Sequence, residues 1–343
     1  MCNIAGYIGK EPAAPILIEM MRRQDGLNGG YYTGIATIGP DGRLHWAKVV
    51  GDVEALVRTT EALRLPGTVG IVHSRTNSGG DREWAHPFVG AKGTLAYIAN
   101  GSTGLFANVA RQSETASRLS DAGYPFLSRS PEPVAEYPRL PDGSSVHMSE
   151  VMCRLIEAHV DAGRDPATAM RLAYTQLPSE IVGLMIHTAI PRGIVATRIN
   201  QPLVAARHRE GWYLSSTALA FPAEGIEWTM PLAPLATAVF TPDRMELTPF
   251  ELSPPVAPIP WNAGHERVLE ILTNAADRPV TMQTLKAGTQ DLWPPGALPQ
   301  SFLMLYELLR ALHDRGRLAF DTVRVPGVLA GATAPQTHIR LVG

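Results

Sequence analysis

The chain opens Met1-Cys2-Asn3-Ile4-Ala5-Gly6-Tyr7-Ile8-Gly9, so a thiol stands directly behind the initiator methionine and directly before an apolar run. Residues Asn3–Gly9 read as a buried strand that begins at the terminus itself. If Met1 is removed, Cys2 carries a nucleophile and a base on one residue, its thiol and its own α-amine. An α-amine titrates near ~7.7–8.0 and a free thiol near ~8.5, so proton exchange between them is cheap at neutral pH. This is the N-terminal form of an activated nucleophile, a role usually filled with the help of a separate base. The plainer reading is a small apolar residue in a first strand, because free cysteine is often buried.

A length of 343 residues allows one large domain or two smaller ones. A 45% hydrophobic and 18% charged composition is that of an ordinary globular chain. The net charge of −2 supplies no global attraction to nucleic acid or to an anionic membrane. Cys2 and Cys153 are the only cysteines, so no disulfide framework is implied and a reducing compartment fits. No charged-then-apolar leader and no bilayer-length apolar run is present, and a cytoplasmic location is expected.

After the first strand, Ala14–Arg23 has helical spacing. Gly34–Ile38 and Leu44–Val50 form a hairpin across Asp41-Gly42. Val69–His73 and Thr94–Ala99 are further strands, and Val151–Ala162 and Ala167–Leu177 are helices. Short strands follow near Val182–His187, Gly193–Arg198, Leu203–Ala206, Trp212–Ser215 and Ala238–Thr241. Sheets with helices on both outer faces are the expected result. Between Ala110 and His147 the chain is rich in Ser, Pro, Arg and Glu with little periodicity, which predicts a functional loop or local disorder. Ser253–Pro260 reads as a stiff proline linker. The tail predicts helices at His265–Ala276, Thr281–Ala287 and Gln300–Arg315, then strands at Arg317–Val325 and Thr337–Val342, a small winged-helix-like unit.

Three segments carry candidate chemistry beside Cys2. The first is His73-Ser74-Arg75-Thr76-Asn77-Ser78-Gly79-Gly80, followed by Trp84-Ala85-His86-Pro87-Phe88. A guanidinium at a strand end can grip a carboxylate through two parallel hydrogen bonds, although a surface loop arginine is equally ordinary. The second is Ala99-Asn100-Gly101-Ser102, where a side-chain amide and a backbone N–H form a plausible oxyanion hole. Alone, it reads as an Asn-Gly turn. The third is Gly29-Gly30-Tyr31-Tyr32-Thr33-Gly34, whose glycines would let backbone approach a ligand closely.

In this order the segments resemble the class II glutamine amidotransferases, which are N-terminal-nucleophile hydrolases, and in particular the glutaminase domain of the glucosamine-6-phosphate synthases. There the chain opens Met-Cys-Gly-Ile-Val-Gly-Tyr-Ile-Gly. The family's His-Thr-Arg-Trp-Ala-Thr loop and its Asn-Ala-His-Pro-His look like His73-Ser74-Arg75 and Trp84-Ala85-His86-Pro87-Phe88. Its His-Asn-Gly-Ile looks like Ala99-Asn100-Gly101-Ser102, and its Ala-Arg-x-Gly-Ser-Pro-Leu-Val is similar to Thr197–Val204. The likeness covers about residues 2–250. It implies an α+β, four-layer αββα sandwich over 2–252, a linker at 253–260 and the winged-helix-like unit over 261–343. It further implies that Cys2 attacks the γ-amide of glutamine to give a thioester and ammonia, with Asn100 and Gly101 stabilising the oxyanion. The substrate-binding set is then Arg75 on the α-carboxylate with Thr76, His86 and Glu150, His86 being given a structural role. No cofactor and no metal is implied.

The chain also departs from that family. The family binds the substrate α-amine through an Asp in a Ser-x-Thr-Asp-Ser/Thr-Glu-Val run. Here Gly123–Ser128 matches the front and Ser149-Glu150-Val151-Met152 the back, and the Asp position holds Met148 or, from the other side, Pro131. Methionine cannot pair with an ammonium. Either Glu132, Glu136, Asp142 or Glu150 substitutes, or the substrate has no free α-amine there. Arg-Gly-Tyr-Asp-Ser-Ala-Gly has become Gly29–Gly34, and the Trp after the loop arginine is Thr76. The tail leaves no room for phosphosugar isomerase domains. Its eight basic residues face seven acids, so a partner-docking or dimer surface is expected over a nucleic-acid one. Two readings follow: a glutaminase-type amidohydrolase, stand-alone or supplying ammonia to a separate synthase subunit as a homo-oligomer, or a catalytically degenerate domain that senses a metabolite or binds a partner.

Overall fold

The computed structural model describes residues 2–251, 254–275 and 278–342. Met1, the expected boundary at 252–253 and Ala276 of one expected tail helix lie outside the described residues. One sheet has seven strands in the order β11 (Ile226–Pro231), β9 (Val204–His208), β10 (Gly211–Ser215), β1 (Asn3–Gly9), β4 (Val69–Arg75), β2 (Tyr32–Ile38) and β3 (Leu44–Val50). The second has six, β13 (Met245–Pro249), β12 (Ala236–Phe240), β8 (Ile194–Arg198), β7 (Val182–His187), β6 (Leu95–Asn100) and β5 (Phe88–Val89).

Alternation along β1 explains why its sequence is apolar throughout. Ile4 and Ile8 point between the sheets, where they meet Ile71, Ile98, Leu184 and Leu214. Ala5 and Tyr7 point the other way, onto α1 (Ala13–Arg22) and α2 (Val53–Thr59) through Leu17, Ile18 and Leu56. A strand buried on both faces has no solvent side on which to place polar residues. The second sheet is covered outside by α3 (Val109–Asp121), α4 (Met148–Asp161) and α5 (Pro166–Gln176), with Tyr97, Met185 and Val195 against Met152, Ile156 and Met170. The result is helix, sheet, sheet, helix.

Beyond the sheets come α6 (Trp261–Asn274), α7 (Met282–Gly288), α8 (Ser301–Asp314) and the hairpin β14 (Leu318–Pro326)–β15 (Thr333–Leu341). The apolar run Phe302–Leu312 of α8 lies in the core of this unit. The unit is seated on the sandwich around residues 26–30. Leu27 belongs to the tail's apolar cluster, and Leu303 belongs to the cluster beneath α1. Asn28 Nδ2 donates to Tyr306 Oη at 2.7 Å, Thr337 N donates to Gly26 O at 2.9 Å, and Arg324 pairs with Asp52 at 2.7 Å.

The expected elements recur within a few residues of their predicted ends, with differences that have physical causes. The stretch from Ala110 is not structureless at its start: α3 runs through Asp121, capped by Asn108 accepting from Arg111 N. Its buried face is Gln112, Thr115, Ala116 and Leu119, half polar, so it leaves no apolar stripe to read. The edge strands β11 and β13 are mostly exposed and equally lack the signature of burial. Replacing Tyr306 with Phe leaves the buried Asn28 amide without its acceptor. The expected loss is about 1–3 kcal/mol of unfolding free energy, read by chemical denaturation of the whole chain.

Candidate functional site

The antiparallel register of β1 on β4 sets Asn3 opposite Ser74, so the residue before β1 arrives beside the residues that end β4. Cys2 therefore sits next to Arg75 and Thr76, its Sγ 4.0 Å from Thr76 Oγ1. The carboxyl end of β6, in the other sheet, brings Asn100 to the same point. Cys2 N donates to Asn100 Oδ1 at 2.8 Å, and Asn100 Nδ2 donates to Cys2 O at 2.9 Å. Gly101 follows at φ +88°, where a Cβ would overlap the carbonyl oxygen of Glu180, so no other residue fits this turn.

These residues line a cavity of about 200 Å³ together with Ser78, His86, Ala99, Ser102, Thr103, Tyr137, His147 and Ser149. Cys2 is partly exposed, whereas Cys153 is buried in the core with its thiol pushed up to about 12 by burial. The two cysteines are thus chemically distinct, and Cys2 is the one that lines this cavity.

Arg75 is 1% exposed. Its Nε and Nη2 both donate to Ser78 Oγ, at 3.1 and 2.9 Å, while Nη2 also reaches Gly79 O and Nη1 donates to Trp84 O. The guanidinium lies over the Tyr32 ring at 4.2 Å. No carboxylate among the described residues pairs with it, so a buried cation is balanced here by dipoles and a π-face alone. The two-pronged grip expected of Arg75 is occupied by its own loop.

Three imidazoles stand around this cation. The His73 and His86 rings stack at 3.8 Å, and His147 lies 5.2 Å from His86. Burial, and then the repulsion of neighbouring cations, holds all three neutral. His73, whose Nε2 lies 3.0 Å from Ala99 O, falls to about 3, and His86 and His147 sit well below the ordinary histidine range. Neither ring nitrogen of His86 has a partner among the described residues.

Of the expected site residues, the structure brings together Cys2, Asn100, Gly101, Arg75, Thr76 and His86. It does not bring Glu150 there. That carboxylate is 1% exposed in α4, accepts from Leu127 N, Ser128 N and Ser128 Oγ, and pairs with Arg154 at 2.9 Å. Every oxygen is engaged in holding the 122–147 loop to the helix. Nor do the Gly29–Gly30 glycines face the cavity. A Cβ on Gly29 would strike Ser74 and one on Gly30 would strike Pro335 of the tail hairpin, so the close approach is to protein and not to a ligand. Sequence reasoning missed Tyr137, His147 and Ser149. His147 caps α4, with Ser149 N donating to its Nδ1. The available signal was an ordinary one, a polar residue immediately before a helix.

Behind β4, Asp25 accepts from Ser74 Oγ at 2.8 Å and Val53 N at 3.1 Å, and Ser74 Oγ in turn accepts from Gly30 N. Burial, partly offset by these bonds, raises the Asp25 carboxyl to about 6. The folded state then binds the proton more tightly than the unfolded chain, so stability falls as pH rises from about 4 to 6 and is level above that. The expected difference between wild type and Asp25→Asn is about 3 kcal/mol across this window, read by denaturation at several pH values. Glu150→Ala leaves Arg154 with Glu157 as its acid partner but removes the acceptor of Leu127 N, Ser128 N and Ser128 Oγ, and the same measurement should record a loss of about 3 kcal/mol.

No protein-family model matches the chain. Among curated proteins it is 30% identical over 337 residues to a glutamine–fructose-6-phosphate aminotransferase of Corynebacterium efficiens, covering 95% of this chain and 47% of that one. It is 31% identical over 221 residues to the protein of that name from Bacteroides thetaiotaomicron, covering 64% of this chain and 32% of the relative. The chain thus spans about half or less of the length of these relatives. Among solved structures, glutamine phosphoribosylpyrophosphate amidotransferase from B. subtilis superposes with a TM-score of 0.58 at 17% identity, over 74% of this chain and 50% of that chain. A structure described as the allosteric regulatory enzyme of purine biosynthesis gives 0.61 at 14%, over 99% and 71%. Along its sequence the chain is similar to glutamine–fructose-6-phosphate aminotransferases, and its fold resembles that of glutamine phosphoribosylpyrophosphate amidotransferase.

Proposed function

We propose that the chain hydrolyses the γ-amide of glutamine, or of a closely related compound, to a carboxylate and ammonia through a thioester on Cys2. The observation that carries this reading is a buried guanidinium without an acid partner, sharing one small cavity with a thiol and an amide. A buried cation left uncompensated is costly, and an anionic ligand supplies the missing charge. A substrate α-carboxylate on Arg75 meets that need, either in place of Ser78 or through the remaining Nη1 N–H.

In this reading removal of Met1 leaves the Cys2 nitrogen as a free amine, oriented by Asn100 Oδ1. The amine takes the thiol proton and Sγ attacks the amide carbon. One N–H of Asn100 is held by Cys2 O, and its second N–H, with Gly101, stabilises the oxyanion. The carbon–nitrogen bond then breaks, the proton passes to the leaving nitrogen, and ammonia departs. Water adds to the thioester, the carbon–sulfur bond breaks, and the acid and free thiol are restored. No metal or cofactor enters these steps.

We read residues 261–342 as a winged-helix-like unit, from three helices followed by a hairpin, serving as a docking or dimer surface. In this reading the chain acts in the cytoplasm, either as a stand-alone glutaminase or as the ammonia-supplying subunit of a separate synthase. Purified protein lacking Met1, verified by intact mass, should release ammonia from a glutamine-type amide, and Cys2→Ala should lower that release by at least a thousandfold in a coupled assay. Tight amide binding with no turnover in the processed wild type would instead support a non-catalytic sensor.

A further inference from the structure

We infer that the Cys2 cavity takes a glutamine whose α-nitrogen is acylated, with the acyl group in an adjoining cavity walled by Met148, Gln112 and Tyr137. The inference rests on the glutaminase reading and narrows its substrate.

Charge comes first. The described residues lining the Cys2 cavity include one cation, Arg75, and no carboxylate. The histidines there are neutral. A free amino acid would bring an ammonium into a small enclosure beside a guanidinium, with no counter-ion for it. Apart from Glu132 and Glu136, which are exposed, the nearby acids are committed elsewhere. Glu150 is bound to Arg154, and Glu180 accepts from Leu105 N and Asn200 Nδ2. Asp142 pairs with Arg129, and Glu132 is exposed. A substrate with an anionic carboxylate and a neutral α-nitrogen matches a cavity with one positive charge.

Space comes second. A cavity of about 240 Å³ adjoins the first and shares Ser78, Ser102, Thr103 and Tyr137 with it. Its remaining walls are Gln112, Ala135, Glu136 and Met148. Met148, one of the two residues (with Pro131) that stand where the amine-holding acid was expected, faces this second space. Glu136 is the one acid on that wall and is exposed. Ala135, just before it, is at φ +44°, a left-handed conformation that a residue with a Cβ adopts only when its surroundings hold it there. The shared walls offer neutral polar groups suited to an amide: the hydroxyls of Ser102 and Tyr137, and the unpartnered imidazole of His86 on the side of the first cavity. The chemistry fits both Nα-acyl-glutamine and a short peptide ending in glutamine.

The test compares free L-glutamine, Nα-acetyl-glutamine, Nα-butyryl-glutamine and glycyl-glutamine as ammonia sources for the processed wild-type protein. The expected result is a kcat/KM at least tenfold higher for an acylated compound than for glutamine, rising or falling with acyl length. Preference for acetyl and butyryl over glycyl would identify acyl-amino acids, and the reverse would identify peptides. Free glutamine turned over as well as or better than every acylated form would overturn the inference, and a drop in that activity in Glu136→Gln would assign the amine to Glu136. If no compound releases ammonia, the glutaminase reading fails. Calorimetric titration of Cys2→Ala then decides separately: tighter binding of Nα-acetyl-glutamine than of glutamine sustains the inference, and any other order overturns it.

Discussion

The reciprocal pair of hydrogen bonds between the Cys2 backbone and the Asn100 side chain is the contact on which the site depends. Residue 2 immediately precedes a central strand of one sheet, and residue 100 ends a strand of the other. Packed sheets ordinarily stand about 10 Å apart, so a site built from both needs a place where their ends converge. The Asn100 amide spans that gap and fixes Cys2 at both its nitrogen and its carbonyl oxygen. The position of the thiol is then set by the strand registers of both sheets and owes little to its own loop.

The surroundings follow one electrostatic rule. Charges buried near the site are either compensated by neighbours in the core or held singly. Glu150, Arg154 and Glu157 form a compensated group that ties α4 to the preceding loop and to the backbone of residues 89–92. Arg75 is single. Neutral imidazoles beside it avoid adding a second positive charge, and their neutrality comes from the same burial that makes the lone guanidinium expensive. The absence of an acid from the described cavity wall is therefore a property of the whole neighbourhood, produced by several elements at once.

Much of this was legible in the sequence. The apolar run after Cys2 predicted β1, and a common site for Cys2, Arg75 and Asn100-Gly101 was expected from the resemblance of their segments, taken in order, to the class II glutamine amidotransferases. Glu150 was misplaced, since its position in a run says nothing about which face of α4 it occupies; only packing against Arg154 and Ser128 decides that. Tyr137 and His147 were invisible because they arrive on a loop without periodicity, anchored by tertiary contacts at Leu140 and Val146. The glycines at 29 and 30 were read as letting backbone approach a ligand, whereas the close approach is to protein. Their partners, Ser74 and Pro335, lie far away in sequence and leave no local trace.

The placement of β1 also bears on how the site comes into being. This strand is flanked by β4 on one side and by β10 on the other, and its bond from Ile4 to Ser216 joins residues 212 positions apart. Contacts of such sequence separation form late, because a long loop must close before they contribute. During synthesis from the amino terminus the cysteine-bearing strand has one open edge until residues 211–215 emerge. A strand that precedes its partner by some two hundred residues is then among the last to be locked in place, and Cys2 reaches its position beside Asn100 with both edges of β1 paired only after β10 has formed.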